Sequence, residues 1–540
     1  MIRIGIFFGG ASREREISFA GGRTVYDNLD KNLFEAVPIF VDSKGNFILL
    51  NWQFIYKGTI RDFYPPIASL SFSPHNFQLY LESLGELSAE ELNQLISKVG
   101  RKLVMEELKT LIDFGFLALH GSWGEDGSIQ GILEWLNIPY SGSGVLPSAI
   151  GMNKVFQKSI MKESGLEVAR SIVIKRKDWL TAAQNKEMLH HAKKKLGLPF
   201  VVRPANQGSS IGVSIVRSEN LTSFQQAVDA AFFVHGITAA EWNKLSEEEQ
   251  IDWVRSVSEI KDGTGIPFNI GGTIINHPEA LLKFIRDHFK ETDESLLLQS
   301  IYEEKEVQLE AFIEGTEFSC IVIRKEDGSA VALPPTEIKK GKEVFDYRSK
   351  YLPGLTRKIT PIDLPNEDIE KIRRQCEALF VFFGFHVYAR IDGFIRKDKK
   401  IFLNDPNTTS GMLPSSFFFH QAAEIGLNPS QFLTFIIRTS VADRIASQSK
   451  TFAYRKLLQQ LDENIAGLKN LASVKKRIAV ILGGYSSERH ISVESGRNVF
   501  EKLASSTKYE PVPVFLLGNA NAYSLYQIPV NLLLKDNADD

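Results

Sequence analysis

The string Arg3–Leu29 returns at Arg477–Leu503, at a constant offset of 474 residues and with 13 of 27 positions identical. The copies share Gly9-Gly10 with Gly483-Gly484, Ser12 with Ser486, Glu14-Arg15 with Glu488-Arg489, and Ile17-Ser18 with Ile491-Ser492. Two unrelated strand–helix units would agree at apolar positions, not in a polar string of this kind, so the chain carries an internal repeat. In the first copy an apolar run, Ile4–Phe8, meets a glycine pair and then helical spacing from about Ile17 to Leu29. A buried strand, a glycine turn and a helix open a doubly wound α/β unit. The second copy stops at Asp540, before any counterpart of the His120 region, and therefore reads as the truncated start of a second module in a longer protein, inactive and held by packing on its neighbours or on another chain.

A chain of 540 residues calls for three or four domains. With 43% hydrophobic and 24% charged residues it can bury sizeable cores. A net charge of −2 gives no general pull toward nucleic acid or an anionic membrane. Two cysteines, Cys320 and Cys376, exclude a disulfide framework and a cysteine zinc site. The apolar N-terminal run is too short for a signal sequence or a spanning helix, and no apolar stretch of about 18 residues follows. These features predict a cytoplasmic protein without nucleic-acid or membrane partners.

Further strands are expected at Ala36–Val41, Phe114–Leu119, Ser171–Ile174, Phe200–Arg203, Val307–Phe312 and Glu317–Ile323, and helices over residues 75–110, Met152–Ser164 and Glu187–Leu196. Residues 232–305 break the rhythm with charged helical stretches and a Gly-rich piece, and lack a recognisable catalytic pattern, so they read as an insert peripheral to the chemistry. A helical connector is expected over 443–475.

Four strings carry chemistry. Glu14, on the turn after the first strand, suits an ammonium group, or equally a capping carboxylate near a helix start. His120-Gly121-Ser122-Trp123-Gly124-Glu125-Asp126-Gly127 combines sharp turns with a histidine able to bond a carboxylate or amine. Gln207-Gly208-Ser209-Ser210-Ile211-Gly212, following Arg203, offers mobile N–H groups, hydroxyls and a fixed positive charge to phosphates, or forms a plain hairpin. Arg390-Ile391-Asp392 and Asn404-Asp405-Pro406-Asn407 each adjoin an apolar strand. Adjacent strands would bring Asp392, Asp405 and Asn407 together as the hard oxygen ligands that Mg²⁺ prefers beside polyphosphate.

Together with Gly142-Ser143-Gly144, Met152-Asn153-Lys154, Glu310, Glu314-Gly315-Thr316-Glu317-Phe318, Asp346-Tyr347-Arg348-Ser349-Lys350-Tyr351 and Asn407-Thr408-Thr409-Ser410-Gly411-Met412, these strings resemble the D-alanine–D-alanine ligase family of the ATP-grasp superfamily. The resemblance covers about 1–231 and 306–440. It implies an α/β ATP-grasp fold: an N-terminal ligase domain (1–148), a central ATP-grasp subdomain (149–316) carrying the insert, a C-terminal catalytic subdomain (317–442), the connector and a partial second N-terminal domain (476–540). It implies ATP with two Mg²⁺ (Mn²⁺ being the alternative ion), D-alanine as substrate and a homodimer. Lys154, Arg203 and Lys350 would meet ATP phosphates, Glu310 and Glu317 the adenine and ribose, and Asp392, Asp405 and Asn407 the metal. Glu14 would take the first ammonium with Ser209, Tyr351 and His120 around it. Arg390 and the Gly411 N–H would face the oxyanion, and Ser416 the second carboxylate. Arg203 stands where lysine is usual, Asp405 where glutamate is usual and Ser410 where proline is common. The alternatives are a D-alanine:X ligase with another acceptor and a degenerate, non-catalytic nucleotide-binding protein.

Overall fold

The computed structural model describes residues 1–179, 185–340, 356–447, 451–471, 475–535 and 538–539. The predicted Lys350 and Tyr351 lie outside them.

The opening apolar run forms β1 (Ile2–Gly9), which meets helix α1 (Arg15–Asn28) through the glycine pair. Gly9 and Gly10 both lie at positive φ, and a Cβ on Gly9 would stand 2.5 Å from the Val41 carbonyl oxygen, so the turn admits no side chain there. β1 pairs in parallel with β2 (Phe34–Val41) and with β5 (Phe114–Leu117). β3 (Phe47–Leu50) and β4 (Gly100–Leu103) continue the sheet antiparallel, giving the order β4-β3-β2-β1-β5. β4 falls within the stretch expected to be helical; its Arg101 and Lys102 hide the period-two signal of an edge strand.

A second sheet, β6 (Ser171–Lys175), β13 (Glu306–Ala311), β7 (Phe200–Pro204) and β8 (Ser214–Val216), packs on helix α3 (Leu221–Phe232), while helix α2 (Lys154–Glu163) sends Met161 into a neighbouring apolar cluster. A third contains β17 (Thr356–Ile359), β16 (Thr336–Lys340), β14 (Thr316–Arg324), β18 (Tyr388–Ile395) and β19 (Ile401–Asn407), with β15 (Ala330–Ala332) on β14. Under this sheet sit both cysteines, free, fully buried and side by side in one apolar cluster. The two sheets face one another across a cleft.

The segment expected as an insert folds as a unit with its own sheet, β9 (Val234–Ile237), β12 (Leu296–Ser300), β10 (Phe268–Ile270) and β11 (Thr273–Ile275), over a core that includes Trp242, Val254, Phe268 and Ile285. The domain limits drawn from sequence differ from the elements at two joins. The limit at 148 falls inside helix Val145–Met152, and the limit at 442 inside the helix Pro429–Ser447, because no turn residue marks either place. The connector is also more than a spacer: helix Phe452–Leu471 buries Tyr454 and Leu461 in the main core.

At the C-terminus β20 (Lys476–Gly483) pairs in parallel with β21 (Tyr509–Gly518), and β22 (Tyr523–Gln527) adds antiparallel to β21. Helix α7 (Arg489–Ala504) joins the first two, so order and pairing sense repeat those of β1, α1, β2 and β3. Among the described residues no helix is long and apolar enough to cross a membrane.

Candidate active site

The cleft begins at Glu14, the residue immediately before α1, which is only 6% exposed. The 207–212 loop closes over it. Ser209 Oγ donates to Glu14 Oε1, and Ser209 and Ser210 both hold left-handed backbone (φ 50° and 60°). Such conformations persist where surrounding structure imposes them, commonly at ligand-binding turns. Gly208 has no room for a side chain: a Cβ would lie 2.5 Å from Glu14 Oε2. Burial, and then the charge of Glu125, push the Glu14 carboxyl above its ordinary value, against the opposing pull of His120, Ser209 and Lys154. A buried carboxylate of this kind is a receptor for a cation.

His120 ends the β5 strand region behind Glu14. Its Nδ1 stands 3.7 Å from Glu125 Oε2, and its backbone carbonyl accepts from Ser12 Oγ at 2.7 Å. Glu125 also accepts from the Gly121 N–H at 2.7 Å and from Thr409 Oγ1. Burial alone would pull the imidazole down and the carboxyl up. Their mutual hydrogen bond and charge win, so His120 is raised and Glu125 falls to about 2. The pair braces the turn.

Asp392 and Asp405 face one another in register across β18 and β19, and Arg390 pairs with Asn407. This is the adjacency the apolar strands implied. Asp405 lies between Lys154 Nζ (3.1 Å) and Arg203 Nη2 (2.9 Å), whose charges hold its carboxyl far below the usual range despite full burial. Asp392 accepts from Ser319 Oγ at 2.7 Å and from Arg390 at 3.1 Å. The Asn407 amide donates to the Asp405 carbonyl at 2.8 Å, which fixes its rotamer. Among the described residues no three His, Cys, Asp or Glu side chains cluster as a metal site, so a cation here would need the Asn407 oxygen beside the two carboxylates.

A cavity of about 550 Å³ opens between the second and third sheets, lined by Arg203, Ser210, Glu310, Glu317, Asp392 and Asp405 among others. Glu310 sits 3.2 Å from Lys158 Nζ and 3.7 Å from Arg203. A second, smaller cavity of about 80 Å³ is lined by Ser209, Lys358, Arg390, Asp392, Gly411 and Ser416. Ser416 precedes helix α4 (Phe417–Glu424), and among the described residues its buried hydroxyl has no hydrogen-bond partner. A polar atom left bare in a cavity at a helix N-terminus is suited to a carboxylate.

Four participants escaped the sequence reading. Lys158 is buried at 2% exposure between Glu310 and Asn404, Lys358 lines the small cavity, and Thr409 holds Glu125. The fourth, Arg13, turns away from the cleft and donates to the carbonyls of Ile260 (2.6 Å), Gly263 (3.0 Å) and Thr264 (2.6 Å), with its guanidinium 3.6 Å over Phe233. The segment expected to be peripheral thus grips the residue beside Glu14. Burial lowers this guanidinium to about 9. Only the spacing of Lys158 four residues after Lys154, on one helix face, could have drawn attention to it.

Two family models match. That of the D-ala D-ala ligase N-terminus covers residues 3–143, and that of the D-ala D-ala ligase C-terminus covers 160–243 and 288–438. The unmatched 244–287 fall inside the extra four-stranded unit. The D-alanine–D-alanine ligase of Geobacillus kaustophilus is 27% identical over 455 residues, 84% of this chain and 98% of the relative. That of Natranaerobius thermophilus is 27% identical over 442 residues, 82% and 95%. In three dimensions the VanG D-Ala:D-Ser ligase of Enterococcus faecalis (TM-score 0.53, 20% identity, 81% of this chain and 99% of that one) shares the fold. So does the D-alanine–D-alanine ligase of Coxiella burnetii (0.51, 19%, 87% and 97%).

Proposed function

The chain belongs to the D-alanine–D-alanine ligase family, and on that premise we propose that it joins two D-alanine molecules, converting ATP to ADP and phosphate. The observation that carries this reading is that Asp392 and Arg390 line the small polar cavity while Asp392 also walls the large one, so a nucleotide and an amino acid would meet at one strand. Glu14 receives the ammonium of the first D-alanine, with His120–Glu125 holding the turn. Lys154 and Arg203 meet the phosphates, and Glu310 and Glu317 line the nucleoside end. The carboxylate oxygen of the first D-alanine attacks the terminal phosphorus, the bond to ADP breaks, and an acyl phosphate results. The amine of the second D-alanine, its carboxylate at Ser416 and the start of α4, attacks the acyl carbon. Arg390 and the Gly411 N–H stabilise the oxyanion, and phosphate leaves with the acyl–oxygen bond electrons.

Mg²⁺ fits Asp392, Asp405 and Asn407, a set of hard oxygens, and when bound it neutralises the transferring phosphoryl group. Lys350 and Tyr351 complete the reading through the family resemblance alone. The cytoplasmic placement and role in cell-wall precursor synthesis belong to the same proposal. Incubation with ATP, Mg²⁺ and D-alanine should give ADP and D-alanyl-D-alanine in equal amounts. ADP without dipeptide would defeat the reading, and greater turnover with D-serine or D-lactate would transfer it to a D-alanine:X ligase.

A further inference from the structure

The C-terminal unit does not hang free. Helix α7 lies against α1, and their contacts have an unusual regularity. Asp27 pairs with Lys502 at 3.0 Å. The Asn28 amide, which donates to the Thr24 carbonyl at 3.0 Å, also lies close enough to the Glu501 carboxyl to pull it down against its burial. Lys31 donates through its N–H to the Ser505 carbonyl at 3.2 Å and through Nζ to Ser505 Oγ at 2.9 Å. By the 474-residue offset of the repeat, Glu501, Lys502 and Ser505 are the counterparts of Asp27, Asn28 and Lys31. Position 27 of one copy therefore meets position 28 of the other, 28 meets 27, and 31 meets 31. A set of contacts that maps onto itself when the copies are exchanged is the signature of an isologous, two-fold interface. Two helices docked at random would show no such exchange.

The docking extends beyond α7. The short helix Val530–Leu533 packs on α4, Asn531 donates to Glu424 at 3.3 Å, and Lys535 reaches Glu424 at 3.1 Å. Leu534, 1% exposed, enters the main core of the ligase.

We propose that residues 476–535 are a resident partner: they occupy on α1 the two-fold face by which this N-terminal unit recognises a second copy of itself, and so exclude a second chain from that face. The symmetry of the contacts supplies the identity of the competitor, another α1, and the placement of Lys31 at the pseudo-axis supplies the probe. A cysteine at position 31 faces its own equivalent in a true dimer but faces residue 505 in the self-docked chain. The native thiols are buried and do not interfere.

The test uses the full chain. On mild oxidation Lys31→Cys/Ser505→Cys should cross-link within one chain, while Lys31→Cys alone should stay monomeric on a non-reducing gel and by light scattering. Adding Lys502→Glu and Leu534→Asp to Lys31→Cys should undock the segment without altering α1. The particle should then double in mass and form a covalent dimer through residue 31, with ATP-dependent thermal stabilisation showing that the ligase part is folded. Cross-linking between chains in the double-cysteine protein would overturn the proposal, since the segment would then be exchanged rather than resident. A folded, undocked variant that remains a monomer would overturn it as well.

Discussion

Asp405→Asn separates charge from shape at the centre of the site. Asp405 is the anion shared by Lys154 and Arg203, whose side chains are 5% and 11% exposed. Removing one partner from a buried ion pair costs about 3–5 kcal/mol, because the remaining charge stays desolvated. Here Lys154 loses its anion outright while Arg203 keeps only Glu310, 3.7 Å away, so the unfolding free energy should fall by about 3–5 kcal/mol. The pH dependence has a definite sign. The folded pKa of Asp405 is depressed below its ordinary 3.8, so its contribution is present above that value and is lost as pH falls through the folded one. The gap between wild type and variant should therefore hold at neutral pH and shrink only in acid. Nucleotide should respond in the opposite direction. Lys154 and Arg203 are released to phosphate, so ATP in EDTA should stabilise the variant more than the wild type, read as the shift in melting temperature. ADP formation with Mg²⁺ should be abolished. A variant of wild-type stability with near-normal turnover at limiting Mg²⁺ would refute both the electrostatic account and the metal assignment.

Arg390→Ala should lower kcat by about 10²–10³ with little change in ATP affinity, as loss of an oxyanion donor does; an effect confined to the KM of the first substrate would contradict that role. Because the Glu14 carboxyl is raised, the KM for the first D-alanine should begin to climb, as pH falls, above the ordinary carboxylate value of 4.5, and Ser209→Ala should move that limb further up. A profile identical in both proteins would remove Glu14 as the ammonium receptor. Arg13→Met leaves three carbonyls of the 260–264 turn without their donor, a penalty of about 1–3 kcal/mol. It should raise the KM for the first D-alanine roughly tenfold while leaving the KM for ATP in place, and equal changes in both would point to general destabilisation instead.

The pairing of the strands that carry Asp392 and Asp405 was legible because each aspartate interrupts or follows an apolar run, and a pair of such runs has few ways to lie side by side except in register. The Glu14 turn was legible for a similar local reason, since glycines at positive φ and a helix start leave one carboxylate at the strand end. Arg13 was not legible. Its partners are backbone carbonyls about 250 positions away, and carbonyls carry no residue type. Lys158 was hidden inside an ordinary amphipathic helix, where a lysine reads as solvated until the sheet covering it is known. The extra sheet over 234–300 was hidden because its strands are three to five residues long and lie between charged helices. Edge strand β4 was masked by Arg101 and Lys102. The strand–helix–strand order of the C-terminal unit, by contrast, could be read, but which face of α1 it would cover could not, because that choice depends on how two helix faces of different sequence meet.

The two thiols beneath the third sheet give the protein an internal clock. Burial raises the Cys376 thiol well above its ordinary value, with Cys320 beside it adding to the effect, and both fully buried sulfurs are closed to reagent while the sheet is closed. Alkylation must wait for that layer to part from the helix Asn366–Phe382 that covers it. Under reagent in excess the labelling rate then counts openings of the very strands that carry Asp392 and Asp405, without any engineered probe. Nucleotide that bridges the cleft should slow the count.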